Sequence, residues 1–320
     1  VGVSAKLKDG SIKNLFAPKD LKEDYLSELG YGALMGLLYN YEVLNPIVTA
    51  SNDGFNRLVP GFEAPVCIVT SLGHSYEIPS RNRSVLVGLI RDMKNPKTVR
   101  SPSPLSNTYL VIAGCYQTML DGIKAAAKSG LSTKELEKEL SKNVGEESFY
   151  LEKDRAYRDE NDVFEHYSLE ERNARFGIPP ATVYENMKNL EIYASKLKSL
   201  KQGDVFTDSI IESFKIGAID KWQKKLKTRI IEAGIQKIRS IVKIHTKENM
   251  DALDEVVWNS ISDLKFNIMK DTLTRESLFT RVREAIENKD YQTASDLQIE
   301  LKRSMEEIQQ LYMQYKKNIY

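Results

Sequence analysis

The sequence predicts an α/β (α+β) domain followed by an all-α extension, and three observations carry that prediction. Two short apolar runs, Ala64 to Ser71 and Val85 to Ile90, are rich in β-branched residues, as buried strands are. Around them lie segments of helical periodicity, of which Asn107 to about Ser129 is the strongest. After Gln202-Gly203 no proline occurs, and only Gly217 and Gly234 interrupt a charge-laced helical pattern. The expected boundary lies at Gly203–Asp208, giving a first domain over 1–203 and a helical extension over 204–320. Thr207 or Asp208 is placed to cap the helix that follows.

Taken in order, Lys19 to about Asn45 reads as a helix capped by Asp20, with Leu21, Tyr25, Leu29, Leu34, Leu37 and Leu38 forming much of an apolar face. A polar turn follows at Ser51-Asn52-Asp53-Gly54, and then the two strands, joined by a loop that holds His74 to Pro79. Leu131 to Glu135 starts another helix, with Ser132 or Thr133 at the N-cap and Glu135 as a capping-box partner. The stretch from Asn143 to Asn189 is polar, but Tyr150, Tyr157, Phe164, Tyr167, Phe176 and Tyr184 are too many anchors for free coil. It reads as an ordered, irregular segment lying on the first domain. The extension reads as four or five helices. In the last, Leu301, Met305, Ile308, Tyr312, Tyr315 and Ile319 follow heptad spacing. Such a seam suits a bundle helix packed on its neighbour, or else a dimerising coiled coil, which would be short at under three heptads.

Composition narrows the chemistry. Lys plus Arg number 46 against 45 Asp plus Glu in 320 residues, a net charge of +1 that gives no support to a nucleic-acid partner. No apolar run approaches the ~18–20 residues that cross a bilayer, so no membrane partner is expected. The only cysteines, Cys67 and Cys115, lie in apolar stretches and read as small core residues in a reduced, cytoplasmic setting. His74, His166 and His245 share no metal-binding spacing, which leaves carboxylates as the ligands for any divalent ion. Val1-Gly2-Val3-Ser4-Ala5-Lys6 is neither a signal peptide nor an initiator start and reads as a cut or processed beginning.

The densest chemistry lies between Asn52 and Arg100. Arg57, Arg81, Arg83, Arg91 and Arg100 surround the two strands, where planar guanidinium groups suit carboxylates or phosphates, although structural ion pairs would use the same residues. Glu63 sits in Pro60-Gly61-Phe62-Glu63-Ala64-Pro65, a loop that suits either a flap presenting one carboxylate or a simple turn.

The wording of this region resembles glutamine synthetase. The residues that carry the resemblance are Arg57-Leu58-Val59-Pro60-Gly61-Phe62-Glu63-Ala64-Pro65-Val66, Arg81-Asn82-Arg83-Ser84, Arg100-Ser101-Pro102 and Asn107-Thr108-Tyr109-Leu110. Leu120-Asp121-Gly122-Ile123-Lys124 and Gly203-Asp204-Val205-Phe206-Thr207-Asp208 continue it in the family's order, so that it covers roughly residues 1 to 205. The likeness is to the C-terminal half of the catalytic domain in long, clostridial-type variants with a helical C-terminal extension, and it implies a mainly antiparallel sheet backed by helices. It further implies an ATP-dependent ligation of ammonium to glutamate through γ-glutamyl phosphate, with Mg²⁺ or Mn²⁺ and assembly as a homo-oligomer in the complete enzyme. On the same basis Glu63 matches the flap carboxylate, Arg83 the phosphate-contacting arginine, and Arg57 and Arg100 the glutamate-binding arginines.

Departures from the family are equally specific. Thr98 stands where the family places a metal-binding Glu two positions before the arginine matched by Arg100, and the segment from Asn95-Pro96 is short by about four residues. Val1-Gly2-Val3-Ser4-Ala5 lacks the histidine of the family's GxHxH-like motif, and the β-grasp domain would lie upstream. The resemblance therefore implies no metal ligands in this chain, no cofactor bound to it, and no synthetase activity from it alone. The alternative reading is a catalytically dead glutamine synthetase-like protein acting as an assembly or regulatory module. In the extension, Phe279 to Leu301 resembles the small helical hairpin of the UvrB and UvrC excision-repair proteins, with its turn at Asn288-Lys289-Asp290-Tyr291.

Overall fold

The chain opens with a short antiparallel ribbon, β1 (Ser4–Lys6) and β2 (Ile12–Asn14), turned by Gly10 at φ +83°. The structure is a computed structural model that describes residues 3–20, 22–55, 67–76, 78, 80, 82, 84–89, 98–99, 102–246 and 248–317. It divides into two units, Val1–Lys215 and Ile216–Tyr320.

The first long helix begins later than its periodicity predicts. Asp20 makes only a local turn, accepting from the Lys22 N–H at 2.8 Å, and Ser27 caps α1 (Glu28–Tyr39) by accepting from the Gly30 N–H at 3.0 Å. The helix then breaks at Asn40, whose side chain donates to the Gly36 carbonyl at 3.1 Å and so competes with the backbone pattern. Beyond the break runs α2 (Tyr41–Val48), buried along its whole length, and the polar turn becomes the single helical turn α3 (Asn52–Phe55).

Among the described residues a three-stranded sheet follows in the order β3 (Cys67–Ser71), β4 (Val85–Gly88), β5 (Thr98–Val99). β3 and β4 run parallel and β4 and β5 antiparallel, while Thr70 bridges outward to Arg158. β3 and β4 are buried, and Cys67, Val69 and Val85 share a core with Ala156, Val163 and Phe176.

The long helix α4 (Thr108–Ser129) is capped by Asn107 and stops at Gly130, which adopts the left-handed φ of +70° that favours glycine. Glycines decide how α4 meets α1. A methyl group on Gly32 would lie 2.9 Å from the Gly122 carbonyl oxygen, and one on Gly122 would overlap the backbone of Gly32 and Gly36. The two helices therefore cross in direct backbone contact, which no larger residue permits. The expected capping box is formed at the start of α5 (Thr133–Leu140), between Ser132 and Glu135.

The polar middle stretch is ordered, as its aromatic anchors require. It holds α6 (Val163–His166), α7 (Leu169–Phe176) and α8 (Val183–Ile192), with Tyr157 and Phe176 each only 1% exposed. α9 (Leu197–Lys201) follows, and Gly203 and Asp204 both take left-handed φ before Thr207 caps α10 (Asp208–Lys225), its hydroxyl accepting from the Ile210 N–H at 3.3 Å.

The second unit is helical. A π-helical turn, Leu226–Ile231, links α10 to α11 (Glu232–Ser240), and α12 (Ala252–Met269), α13 (Leu278–Glu287) and α14 (Tyr291–Lys317) complete it. The core contains Ile241, Ile261, Ile308 and Tyr315. The heptad seam of the last helix packs inside this bundle, with Leu301, Ile308 and Tyr315 buried; Ile319 lies outside the described residues. Tyr315 also accepts from the N–H groups of Ile244 and His245, both at 3.1 Å, which fastens the irregular strap after α11. α13 and α14 form the expected hairpin, turned at Lys289 with φ +58°, and Asp290 caps α14 by accepting from the Thr293 N–H at 3.1 Å and from its hydroxyl at 2.6 Å.

Gly122→Ala is expected to destabilise the first unit by about 1–3 kcal/mol, because the added methyl meets backbone that cannot step aside. Gly217→Ala, inside α10 with open space at the methyl position, is expected to stabilise its helix by about 0.5–1 kcal/mol. Urea unfolding followed by circular dichroism measures both.

Candidate active site

The register of the sheet gathers chain ends at one edge. Cys67 pairs with Val85 in the parallel ladder, so β3 and β4 begin at the same edge, and Val87 pairs with Val99 in the antiparallel ladder, so β5 runs toward that edge and ends two residues short of the start of β4. All four predicted site residues, Arg57, Glu63, Arg83 and Arg100, lie outside the described residues, as do Arg81 and Arg91. Their covalent attachments are described. Glu63 precedes the start of β3 by four residues, Arg83 stands between Asn82 and Ser84 just before β4, and Arg100 directly follows β5. The Asn82 side chain is held at both ends: its Oδ1 accepts from the Ser84 N–H at 2.9 Å and its Nδ2 donates to the Asn161 carbonyl at 2.6 Å. Arg57 follows α3 by two residues.

The opposite end of β3 is closed by charge. Glu160 accepts from the Gly73 N–H at 2.7 Å, from the Ser71 hydroxyl and from Arg158 Nε at 2.7 Å. Arg158 also reaches Glu137 at 3.2 Å and lies over the Tyr25 ring. Burial opposes its charge, but Glu160 and Glu137 outweigh it and hold the guanidinium above its usual range.

A second buried group underlies α2. Glu42 pairs with Arg155 and with Lys196 at 2.9 Å, and Glu152 pairs with Arg155 at 3.2 Å and with Lys196 at 2.7 Å. Two acids and two cations cancel, and the Lys196 side chain is only 4% exposed, with its ammonium 4.4 Å from the centre of the Tyr39 ring. Burial opposes the Arg155 charge, but Glu42 and Glu152 keep it above its usual range. Nearby, Tyr150 donates to Asp121 at 2.7 Å; burial, followed by that carboxylate, pushes the phenol well above its ordinary range. The sequence reading missed these ion pairs. The available signals were a charged Glu42 inside the otherwise apolar α2 and the two arginines of Leu151-Glu152-Lys153-Asp154-Arg155-Ala156-Tyr157-Arg158.

These carboxylates are committed to protein partners, and among the described residues no three His, Cys, Asp or Glu side chains come together to hold a metal ion. Both cysteines are buried and free, as expected of core residues, and burial pushes each thiol up to about 11.

Comparison with known proteins gives this arrangement its context. Residues 1–153 match the model of the glutamine synthetase catalytic domain. Over this stretch the chain is similar to glutamine synthetases. The chain is 36% identical to the glutamine synthetase of Clostridium saccharobutylicum over 119 residues, 37% of this chain and 24% of that protein. It is 39% identical to that of Methylococcus capsulatus over 121 residues, 37% of this chain and 23% of that protein. A longer alignment, 29% identical over 191 residues, joins 59% of the chain to 32% of the Azospirillum brasilense glutamine synthetase. A solved Plasmodium falciparum glutamine synthetase superposes with a TM-score of 0.45 at 20% identity, over 69% of this chain and 43% of that one. The chain thus spans about a quarter of the length of the first two curated relatives. The sheet and the acids Glu42 and Glu152 fall within the glutamine synthetase match, whereas their partners Arg155 and Lys196, and also Arg158 and Glu160, lie beyond it.

Two measurements probe this framework. Lys196→Met is expected to cost about 3–5 kcal/mol in urea unfolding, because it leaves the buried Glu42 and the half-buried Glu152 facing one cation, and adding Glu42→Gln should recover part of the loss. The folded thiols ionise at a higher pH than free ones, so their contribution to stability is full below about pH 9 and lost as pH rises toward 11. A disulfide-exchange reagent at pH 8 should therefore react with both thiols in urea and with neither at a comparable rate in the folded protein.

Proposed function

We propose that the first unit carries part of a glutamine synthetase active site, and that the edge where β3 and β4 begin and toward which β5 runs is its reaction face. The single observation supporting this is the register that brings the attachment points of Glu63, Arg83 and Arg100 toward one edge. In this reading Arg57 and Arg100 bind the carboxylates of glutamate, matching bidentate donors to a planar anion. Arg83 faces the transferring phosphoryl group and offsets the charge that spreads over its oxygens as ATP phosphorylates the side-chain carboxylate. Glu63, on its Pro-Gly loop, takes a proton from ammonium so that ammonia can displace the phosphate, and the loop keeps water from the acyl phosphate.

A divalent ion supplies charge neutralisation for the triphosphate in such a reaction. Glu42, Glu137, Glu152 and Glu160 do not fit it, since they are already held by arginine, lysine or backbone N–H groups. Together with Thr98 at the family's glutamate position, this supports the reading that the chain alone is not a working synthetase. The same threonine favours the second reading, a glutamine synthetase-like assembly or regulatory module without catalysis.

Incubated with ATP, Mg²⁺, glutamate and hydroxylamine, the chain is expected to form no γ-glutamyl hydroxamate above background. Robust product would overturn the proposed incompleteness. Calorimetric titration with glutamate should nevertheless show weak binding, reduced at least ~10-fold by Arg57→Ala and Arg100→Ala. Binding indifferent to both substitutions would remove those arginines from the site.

A further inference from the structure

The near-neutral total charge conceals a strongly basic stretch in the second unit. Between Lys221 and Lys243 there are eight Lys and Arg residues and one acid, Glu232. The fold determines which way they point. The apolar residues Trp222, Leu226, Ile231, Gly234 and Ile238 are buried, at spacings of four, five, three and four. A regular helix cannot hold the five-residue step in phase, and the π-helical turn Leu226–Ile231 absorbs it. The apolar stripe therefore stays continuous on the inside across α10, the π turn and α11, and the cations are left outside. Lys221, Lys224, Lys237, Arg239 and Lys243 are exposed and make no ion pair among the described residues, whereas Lys227 is held by Glu287 at 3.2 Å. At 1.5 Å per residue the helical part, residues 221–240, is roughly 30 Å long; Lys237 and Arg239 flank its exposed side about 200° apart, and Lys243 lies in the strap beyond α11.

We infer that this face is a docking surface for an acidic polypeptide segment, helical or extended, about as long as the face itself. Charge complementarity is the basis of the assignment. An anionic membrane is a poor fit, because surface-seeking helices insert their apolar side and here that side is the core of the unit. Single-stranded nucleic acid fits poorly too, because the one aromatic residue of α10 and α11 within the stretch, Trp222, is 1% exposed and offers no stacking platform. A duplex would extend beyond the face over a unit whose other residues, 216–220 and 244–320, are net acidic. A short acidic segment ends where the cations end.

The test uses the full chain and a fluorescein-labelled 20-residue peptide with glutamates at every third and fourth position, alongside a 20-base-pair duplex. In anisotropy titrations at low salt the peptide should bind saturably and more tightly than the duplex, and weaken at least ~10-fold on raising salt from 50 to 300 mM. Lys224→Glu, Lys237→Glu and Lys243→Glu together should weaken it by ~10-fold or more. The same charge change at Lys6, Lys8 and Lys13, exposed on the first unit, should leave it within about twofold. Circular dichroism establishes that both triple variants are folded. Tighter binding of the duplex, equal losses in the two triple variants, or no saturable binding of the peptide would each overturn the inference.

Discussion

Where α1 crosses α4, backbone touches backbone, and the arrangement of the first unit follows from that contact. Gly32 and Gly36 from one helix and Gly122 from the other leave no room for a side chain between them. Helices this close bury their flanking apolar residues deeply, and Leu34, Met35, Leu37 and Leu38 are all essentially inaccessible to water. The position of α1 fixes where the chain breaks at Asn40, and hence the course of α2. α2 in turn presents Glu42 to the interior.

A carboxylate at that depth needs partners, and the chain supplies them from far along its length. Arg155 and Lys196 approach Glu42 from segments more than a hundred residues away, and Glu152 completes the neutral group. Such groups add little net stability over an apolar core, but removing one member leaves an uncompensated charge. Their effect here is to define the geometry of the segment around residues 152–160. That segment extends the sheet beside β3 through Thr70 and closes the end of β3 through Glu160. The edge proposed for chemistry is thus braced from behind by ion pairs that take no part in the reaction.

Local signals in the sequence translated directly into structure. Asn107 and Ser132 cap the helices that their side chains predict, both expected strands form, and the hairpin turn before Asp290 is where its residues place it. The start of α1 misled because Asp20 and Ser27 are both competent caps, and tertiary contact with Leu15 chose the second: the Ser27 hydroxyl also donates to that carbonyl at 2.6 Å. The glycine crossing and the charged quartet were not legible as contacts, since a glycine does not announce its partner and Glu42, the Glu152–Arg155 pair and Lys196 come from three separate stretches of sequence. The proposed site residues Arg57, Glu63, Arg83 and Arg100 come from the wording of the sequence alone and lie outside the described residues.

The π turn between Leu226 and Ile231 has a bearing on how this helix tolerates changes in length. Removing one residue there would shorten the five-residue step to four and leave an ordinary α-helix with its interior stripe unbroken. Removing one residue anywhere else along α10 or α11 would swing everything beyond it by roughly a quarter turn and bring lysines into the bundle. Over evolutionary time, loss of a single residue in this stretch is therefore confined to one place, which acts as a slip joint.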